Sequence, residues 1–235
     1  MSVYVISDLH LSVACPEKAM DAFGHRWVQY IDKIQKGWNA CVGPQDTVFV
    51  PGDISWAMTL EEAVSDLSFV DSALNGKKIL MKGNHDFWWT SLKKMNCALE
   101  EAGIRSISFL QNNAVSVEGK TFCGSRGWFQ DEKSQVTVGN ADFTKITARE
   151  LIRLRLSLEQ AAENSSPYVL FHFPPLWNGF YQRDIIDVLH QYNVSDCYFG
   201  HVHGQYNVPA VQTFESIRFH FVSADFLEFV PRKIT

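Results

Sequence analysis

Lys78-Ile79-Leu80-Met81-Lys82-Gly83-Asn84-His85-Asp86 is the stretch on which the reading of this chain turns. Lys78–Met81 is a short apolar run of strand character. It ends in a glycine turn followed by an amide, an imidazole and a carboxylate, three groups that can hold a cation or move a proton. The same construction recurs on both sides. Upstream, Val3–Ser7 runs into Asp8-Leu9-His10, and Thr47–Val50 runs through Pro51 into Gly52-Asp53. Downstream, Tyr168–Phe171 runs into His172-Phe173-Pro174-Pro175, and Cys197–Phe199 runs into Gly200-His201-Val202-His203. Five of the eight histidines lie in these pieces; His25, His190 and His220 stand outside them and read as structural or solvent-exposed.

Between the pieces the first half alternates strand and helix. A helix is expected from about Pro16 to Lys36, with Met20, Phe23, Trp27, Tyr30, Ile31 and Ile34 as its buried stripe and Gly37 as its stop. Thr59-Leu60-Glu61-Glu62 has the capping-box pattern and opens a helix to about Leu74. Trp89 to Ala102 reads as a third helix, closed by Gly103. Ser106–Leu110, Ala114–Val117 and Thr121–Gly124 are short strands whose turns suit antiparallel pairing. Residues 125–141 read as a long polar loop, a candidate lid. Helices are expected from Asp142 to about Asn164, with a possible capping box at Thr147–Glu150, and from Arg183 to Tyr192. Arg218–Ser223 and Leu227–Val230 look like a closing hairpin. This pattern indicates an α/β or α+β fold in a single domain, residues 1–235. Open α/β sheets carry their sites at the carboxyl ends of strands, where every polar cluster here falls.

Composition narrows the function classes. A net charge of −5 lacks the basic footprint of a nonspecific nucleic-acid binder, so nucleic acid is not an expected partner. Five widely spaced cysteines with no C-x-x-C pair read as reduced thiols, most of them buried. No stretch reaches the ~18 apolar residues of a membrane span, and no secretory leader precedes the first strand. The expectation is a cytoplasmic protein.

The pieces together supply more ligands than one ion takes and a suitable number for two. Asp8 and His10, and likewise His201 and His203, are two residues apart, a spacing that puts both side chains of a strand on one face. Gly52 permits a sharp bend, after which Asp53 can offer one oxygen to each of two ions. The ordered set, from Asp8 to His203, resembles the calcineurin-like metallophosphoesterases. That resemblance implies a four-layer αββα sandwich of two mixed β-sheets flanked by helices. It also implies one ion held by Asp8, His10, Asp53 and His203, and a second held by Asp53, Asn84, His172 and His201. His85 matches the family's catalytic histidine, and Asp86 the acidic residue that orients it. The protein-phosphatase branch follows its Gly-Asp with Asp-Arg-Gly; here Ile54-Ser55-Trp56 follows, which points to a bacterial-type phosphohydrolase branch.

The implied chemistry is hydrolysis of a phosphate ester by hydroxide shared between two divalent or trivalent transition-metal ions, about 3.5–4 Å apart. The mixed nitrogen and oxygen ligands suit Mn, Fe or Zn and disfavour Mg alone. Arg126 could bind a phosphate with its fork. Trp56, Phe87, Trp88, Trp89, Trp128, Phe129, Trp177, Phe180 and Tyr181 follow the motif pieces closely and could wall a pocket for a planar group. These rings favour a small phosphodiester or a nucleotide as substrate. A phosphomonoesterase, or a non-catalytic binding module on the same fold, are the alternatives.

Overall fold

Strand β1 (Val3–Val5) shows how the layers are arranged. The side chains of Tyr4 and, just beyond the strand, Ile6 pack among Tyr30, Ile34, Trp38 and Leu67, whereas Val3 and Val5 pack among Phe122, Leu170, Tyr198 and Val222. One face of the strand meets helices and the other meets a second sheet, as a period of two requires. In the computed structural model, which describes residues 1–128, 143–161 and 166–235, the same division holds for both large sheets.

The first sheet has the order β13-β1-β2-β3-β4, with β2 at Thr47–Pro51, β3 at Lys77–Met81, β4 at Ile107–Phe109 and β13 at Arg232–Lys233. Strands β1 to β4 are parallel, and β13 closes the edge antiparallel to β1. Helices α1 (Tyr30–Cys41), α2 (Leu60–Ala73) and α3 (Leu92–Glu101) cover its outer face. The second sheet has the order β11-β12-β10-β7-β6-β5. Its strands are β5 (Val115–Val117), β6 (Lys120–Ser125), β7 (Tyr168–Phe171), β10 (Asp196–Phe199), β11 (Val211–Phe214) and β12 (Ile217–Phe221). Helices α4 (Phe143–Leu158) and α5 (Arg183–Gln191) lie on its outer side, with Leu154, Leu158, Ile186 and Leu189 among Val169, Phe171, Phe199 and Phe219. A small hairpin, β8 (Leu176–Trp177) and β9 (Phe180–Tyr181), stands apart. The result is a four-layer αββα sandwich, closed in the middle by contacts such as Phe49 stacked on Phe122 at 4.3 Å.

Several elements differ from the sequence reading. The helix expected at Pro16–Lys36 begins only at Tyr30, and three 3-10 turns precede it: Pro16–Lys18, Met20–Phe23 and His25–Trp27. Left-handed backbone at Gln29 (φ 54) separates the two parts. Met20 and Trp27 stay buried without a continuous helix, but Phe23, expected in the same stripe, is 69% exposed because its 3-10 turn does not continue the helical face. Gly37 lies inside α1 instead of ending it. A Cβ there would come within 2.5 Å of the Phe229 carbonyl oxygen, so the residue serves close approach of the helix to the C-terminal segment.

Strand β4 joins the first sheet in parallel, and only β5 and β6 form the expected antiparallel pair. The closing hairpin is β11–β12, turned at Glu215-Ser216 with φ of 46 and 67, while Leu227–Val230 forms no strand. Both turn residues take positive φ without an Asn-Gly pair, which removes the usual sequence signal. Helix α2 starts at the expected Thr59 cap, but Glu62 accepts from the Met58 amide, not from Thr59. Thr147–Glu150 lies within α4 and caps nothing. The expected start and end of that helix at Asp142 and Asn164, Phe129, and the 129–141 part of the loop lie outside the described residues.

Candidate metal centre

All five pieces meet at the carboxyl ends of β1, β2, β3, β7 and β10. The backbone makes this possible. Beyond β1 the chain leaves the first sheet and bridges to the second, with Ser7 opposite Ser223. The Asp8, His10 and Leu11 amides then donate to the carbonyls of Gly52, Asp53 and Ile54 at 2.9–3.0 Å. Asp8, His10, Asp53 and His201 all take left-handed φ, between 46 and 71. Their convergence therefore comes from tight turns, not from the strand pleat on which the i, i+2 spacing was read. Such backbone is costly for residues with a Cβ and persists where the surroundings over-determine it. Gly52 is the crossing point: a Cβ there would lie 2.6 Å from His172 Nδ1 and 2.7 Å from the Gly83 Cα.

Two groups of potential ligand atoms result, Asp8, His10 and His203 in one and Asp53, His172 and His201 in the other, the atoms of each within 4.8 Å of one another. Asp53 stands between them. Its Oδ2 is 3.7 Å from His10 Nε2 and 3.4 Å from His172 Nε2, while its Oδ1 accepts from the His85 amide at 2.8 Å. Asn84 Oδ1 reaches His172 Nε2 at 2.6 Å and so joins the second group. Asp8 is fully buried and accepts from the His201 amide and the Ser223 hydroxyl.

The donor chemistry fits a cation in both groups. His172 Nδ1 faces the Pro51 carbonyl at 3.1 Å, which can only accept, so Nδ1 carries the proton. Its Nε2 lone pair then points at the Asn84 and Asp53 oxygens, which are acceptors too. His203 Nδ1 donates to Asp225 Oδ1 at 3.1 Å, which leaves its Nε2 facing His10 Nε2 at 3.1 Å. The His172 Nε2, Asn84 and Asp53 atoms, and the facing imidazole nitrogens of His10 and His203, are donor sets that a shared positive ion can satisfy.

Protonation follows the same logic. Burial pushes Asp8 up to about 6, against the pull of His203. Burial, then Asp8 and Asp86, raise Asp53 well above the usual carboxylate range. Burial, then the neighbouring imidazoles, hold His10 well below the usual histidine value; burial and His201 do the same to His172, and burial, His203 and His85 bring His201 to about 3. The imidazoles are thus neutral and able to bind metal. His203 is the exception: burial lowers it, but Asp225 and Asp8 outweigh that and raise it.

His85 lies beside this cluster, its ring 4.5 Å from Trp56 and 5.5 Å from His10, with burial and then His203 lowering its pKa. Asp86 does not face it. Its carboxylate accepts from the amides of Asp53, Ile54, Ser55 and Gly83 and from Trp88 Nε1, at 2.7–3.2 Å, and none of its hydrogen bonds among the described residues goes to His85. Asp86 fastens the Gly52 and Gly83 loops together instead.

Of the expected aromatic wall, Trp56 stands at the cluster, stacked on His10 at 4.8 Å, and Phe87 approaches His85 edge-on at 6.3 Å. Trp88 and Trp177 are core residues, Trp89 is buried but borders a cleft with Lys82 and Arg126, and Tyr181 packs on Phe214. Trp128 lies 5.2 Å from Phe173, with the Arg126 guanidinium 5.5 Å from its ring. Arg126 is 23% exposed, lies 3.7 Å from Glu150, and offers its carbonyl to the His172 and Phe173 amides.

Sequence reasoning missed Asp225, Ser223 and Phe173, the last 4.3 Å from His201. It also missed Trp27, 5.5 Å from His203. The signal for Asp225 was present: Phe219–Val222, apolar but for His220, is another strand-like run and leads through Ser223-Ala224 to an acid. His190 and His220 pair with Glu215 and Asp196, and His25 is exposed. All five cysteines are free, with Cys97 exposed. No helix among the described residues is long and apolar enough to cross a membrane.

Residues 1–205 match the profile of a family described as calcineurin-like phosphoesterase. Among solved structures, the chain is similar to phosphopantetheinyl hydrolase from Mycobacterium tuberculosis, at 15% identity and a TM-score of 0.62, over 99% of this chain and 95% of that one. It is also similar to the protein TT1561 of Thermus thermophilus, at 8% identity and a TM-score of 0.53, over 98% and 96%. At such identities these two likenesses speak for the fold alone. No curated protein matches the chain.

Proposed function

The chain belongs to the calcineurin-like phosphoesterase family, a family of metal-dependent phosphoric ester hydrolases, and from that premise we propose that it hydrolyses phosphate esters at a dinuclear centre built from the two ligand groups. The observation that carries this reading is the position of Asp53 Oδ2, within 3.7 Å of an imidazole nitrogen of each group. Asp8, His10, Asp53 and His203 would hold one ion; Asp53, Asn84, His172 and His201 the other. When bound, Mn, Fe or Zn ions supply Lewis acidity toward the phosphoryl oxygens and acidify water.

The chain's own residues then divide the remaining work. Asp225 holds His203, and the Pro51 carbonyl holds His172, each fixing which nitrogen faces the centre. Asp86 keeps the Gly52 and Gly83 loops in register. His85, partly exposed beside both groups, gives a proton to the leaving-group oxygen. A bound phosphate anion favours its imidazolium and opposes the lowering by burial. Trp56, partly exposed next to His85, offers a face for a planar leaving group, which favours a nucleotide or small phosphodiester. Residues 1–235 work as one unit in this reading, supported by the pairing of β13 with β1. Five free thiols support a cytoplasmic setting.

The test is elemental analysis of the purified protein together with turnover of bis(p-nitrophenyl) phosphate, p-nitrophenyl phosphate and nucleotides in the presence of Mn, Fe, Zn or Co. About two ions per chain and metal-dependent turnover are expected. No bound metal and no turnover would leave a binding module as the better reading.

A further inference from the structure

A cleft of about 390 Å³ opens beside the Asn84–His172 half of the centre, and its charge is opposite to that of the whole chain. Among the described residues, Lys82, Arg126, Arg149 and Arg153 line it against one carboxylate, Glu150. Two of these cations are tied to the centre by the backbone: Lys82 directly precedes Gly83-Asn84, and the Arg126 carbonyl accepts from the His172 amide at 3.2 Å. Arg149 and Arg153 come from α4, one turn apart on its face toward the cleft.

Glu150, only 3% exposed, cannot neutralise this set. Its Oε1 takes Arg153 at 2.5 Å and Arg126 at 3.7 Å, and its Oε2 is buried without a hydrogen-bond partner among the described residues. The Arg126 Nε is also buried and has none among them. The carboxylate thus orders two guanidinium forks, and among the described residues the cleft keeps a surplus of positive charge. Burying unpaired guanidinium donors is costly, and arginine forks match phosphate oxygens two at a time. In a chain of net charge −5, four cations around one cleft are well placed to hold an anion.

We propose that this cleft binds a second phosphoryl group of the substrate, so that the enzyme acts on compounds carrying two phosphoryl groups, one at the metal centre and one held by Arg126, Arg149 and Arg153. The identity of the first group rests on the phosphoesterase reading above; the existence of the subsite does not. The second phosphoryl group is either contiguous with the first, as in a diphosphate, or separate on the same molecule.

Two experiments test this. The first is calorimetric titration of the metal-free chain, in chelator, with inorganic pyrophosphate. Binding is expected to weaken as salt rises. The Arg149→Ala, Arg153→Ala double variant, which changes two exposed side chains, should bind at least tenfold more weakly. The matching double lysine variant should recover part of that loss. No binding by the wild type, or equal binding by the double alanine variant, overturns the subsite.

The second is turnover by the metal-loaded enzyme of AMP, ADP and adenosine 3′,5′-bisphosphate. A preference of at least tenfold in kcat/KM for ADP assigns a contiguous pair, and for the bisphosphate a separate one. The double alanine variant should lose that preference through KM. Equal kcat/KM for all three in the wild type overturns the proposal. Failure of all three to react counts against the phosphoesterase reading, while pyrophosphate binding still decides the subsite.

Discussion

The His172 and His203 groups each combine a carboxylate with two imidazoles, the former with Asn84 besides, but are held in place by different means. His172 is wholly buried, and a backbone carbonyl orients it. His203 is 28% exposed, and a buried carboxylate orients it. A carbonyl fixes direction and adds no charge. A carboxylate fixes direction and also raises the basicity of the imidazole, which is why His203 alone among the clustered histidines has a raised pKa. One ligand position is thus set by packing and the other by charge, and the two respond to different perturbations.

Removing what the groups share has the largest effect. Asp53→Asn takes a carboxylate from both, so both ions should be lost on elemental analysis, with the deepest fall in kcat of any single change. Loss of only one ion would show that Asp53 serves one group. His85→Ala comes next: kcat should fall about 10²–10⁴-fold while metal content stays near two per chain. A near-wild-type rate would remove His85 from the chemistry. Asp225→Asn sharpens the contrast directly. Affinity for one ion should fall about 10–100-fold and for the other hardly at all, as read by metal titration. Equal weakening of both would mean that the groups behave as one.

The smallest effect belongs to a third carboxylate, Asp196, on the strand that leads to His201 but far from the centre in role. Burial would raise it, but Arg218, His220 and Ser195 outweigh burial and lower it below the usual value. A carboxyl lowered on folding gives stability that is fully present above its unfolded pKa of about 3.9 and is lost as pH falls through its folded value. Arg218 is 58% exposed, so screening limits the contribution to about 1 kcal/mol. Urea unfolding midpoints should fall between pH 6 and pH 2 by more in the wild type than in Asp196→Asn, the difference being the Asp196 contribution; equal falls would remove it.

The residues of the two groups were legible because each piece follows an apolar run, and a strand end is a local signal. What lay between the ligands was less legible for identifiable reasons. Asp86 stands next to His85 in sequence, and the family resemblance implied that it orients that imidazole; the turn sends its carboxylate to four amides in two loops instead. Trp88 and Trp177 follow motif pieces but fill the core, because a ring beside a site in sequence can still pack behind it. Glu150 sits in mid-helix among arginines, where nothing local distinguishes a buried carboxylate from a solvated one. Gly37 was read by its most common use, a helix stop, when its neighbour is the backbone of Phe229 at the far end of the chain. Strand β11 has no clean apolar run, since its edge position leaves alternate residues exposed.

The bridge between Ser7 and Ser223 carries a consequence in time. Asp8 and His10 are made first, but the hydroxyl of Ser223 that steadies Asp8, and the Asp225 that steadies His203, are made more than 200 residues later. Strand β13, which covers the free edge of β1, is made later still. A nascent chain can fold the central parallel strands while its first strand waits with an unpaired edge. If the His203 group holds an ion as proposed, its capture would be a late event in synthesis, and chains stalled before residue 223 should take up less metal than released ones.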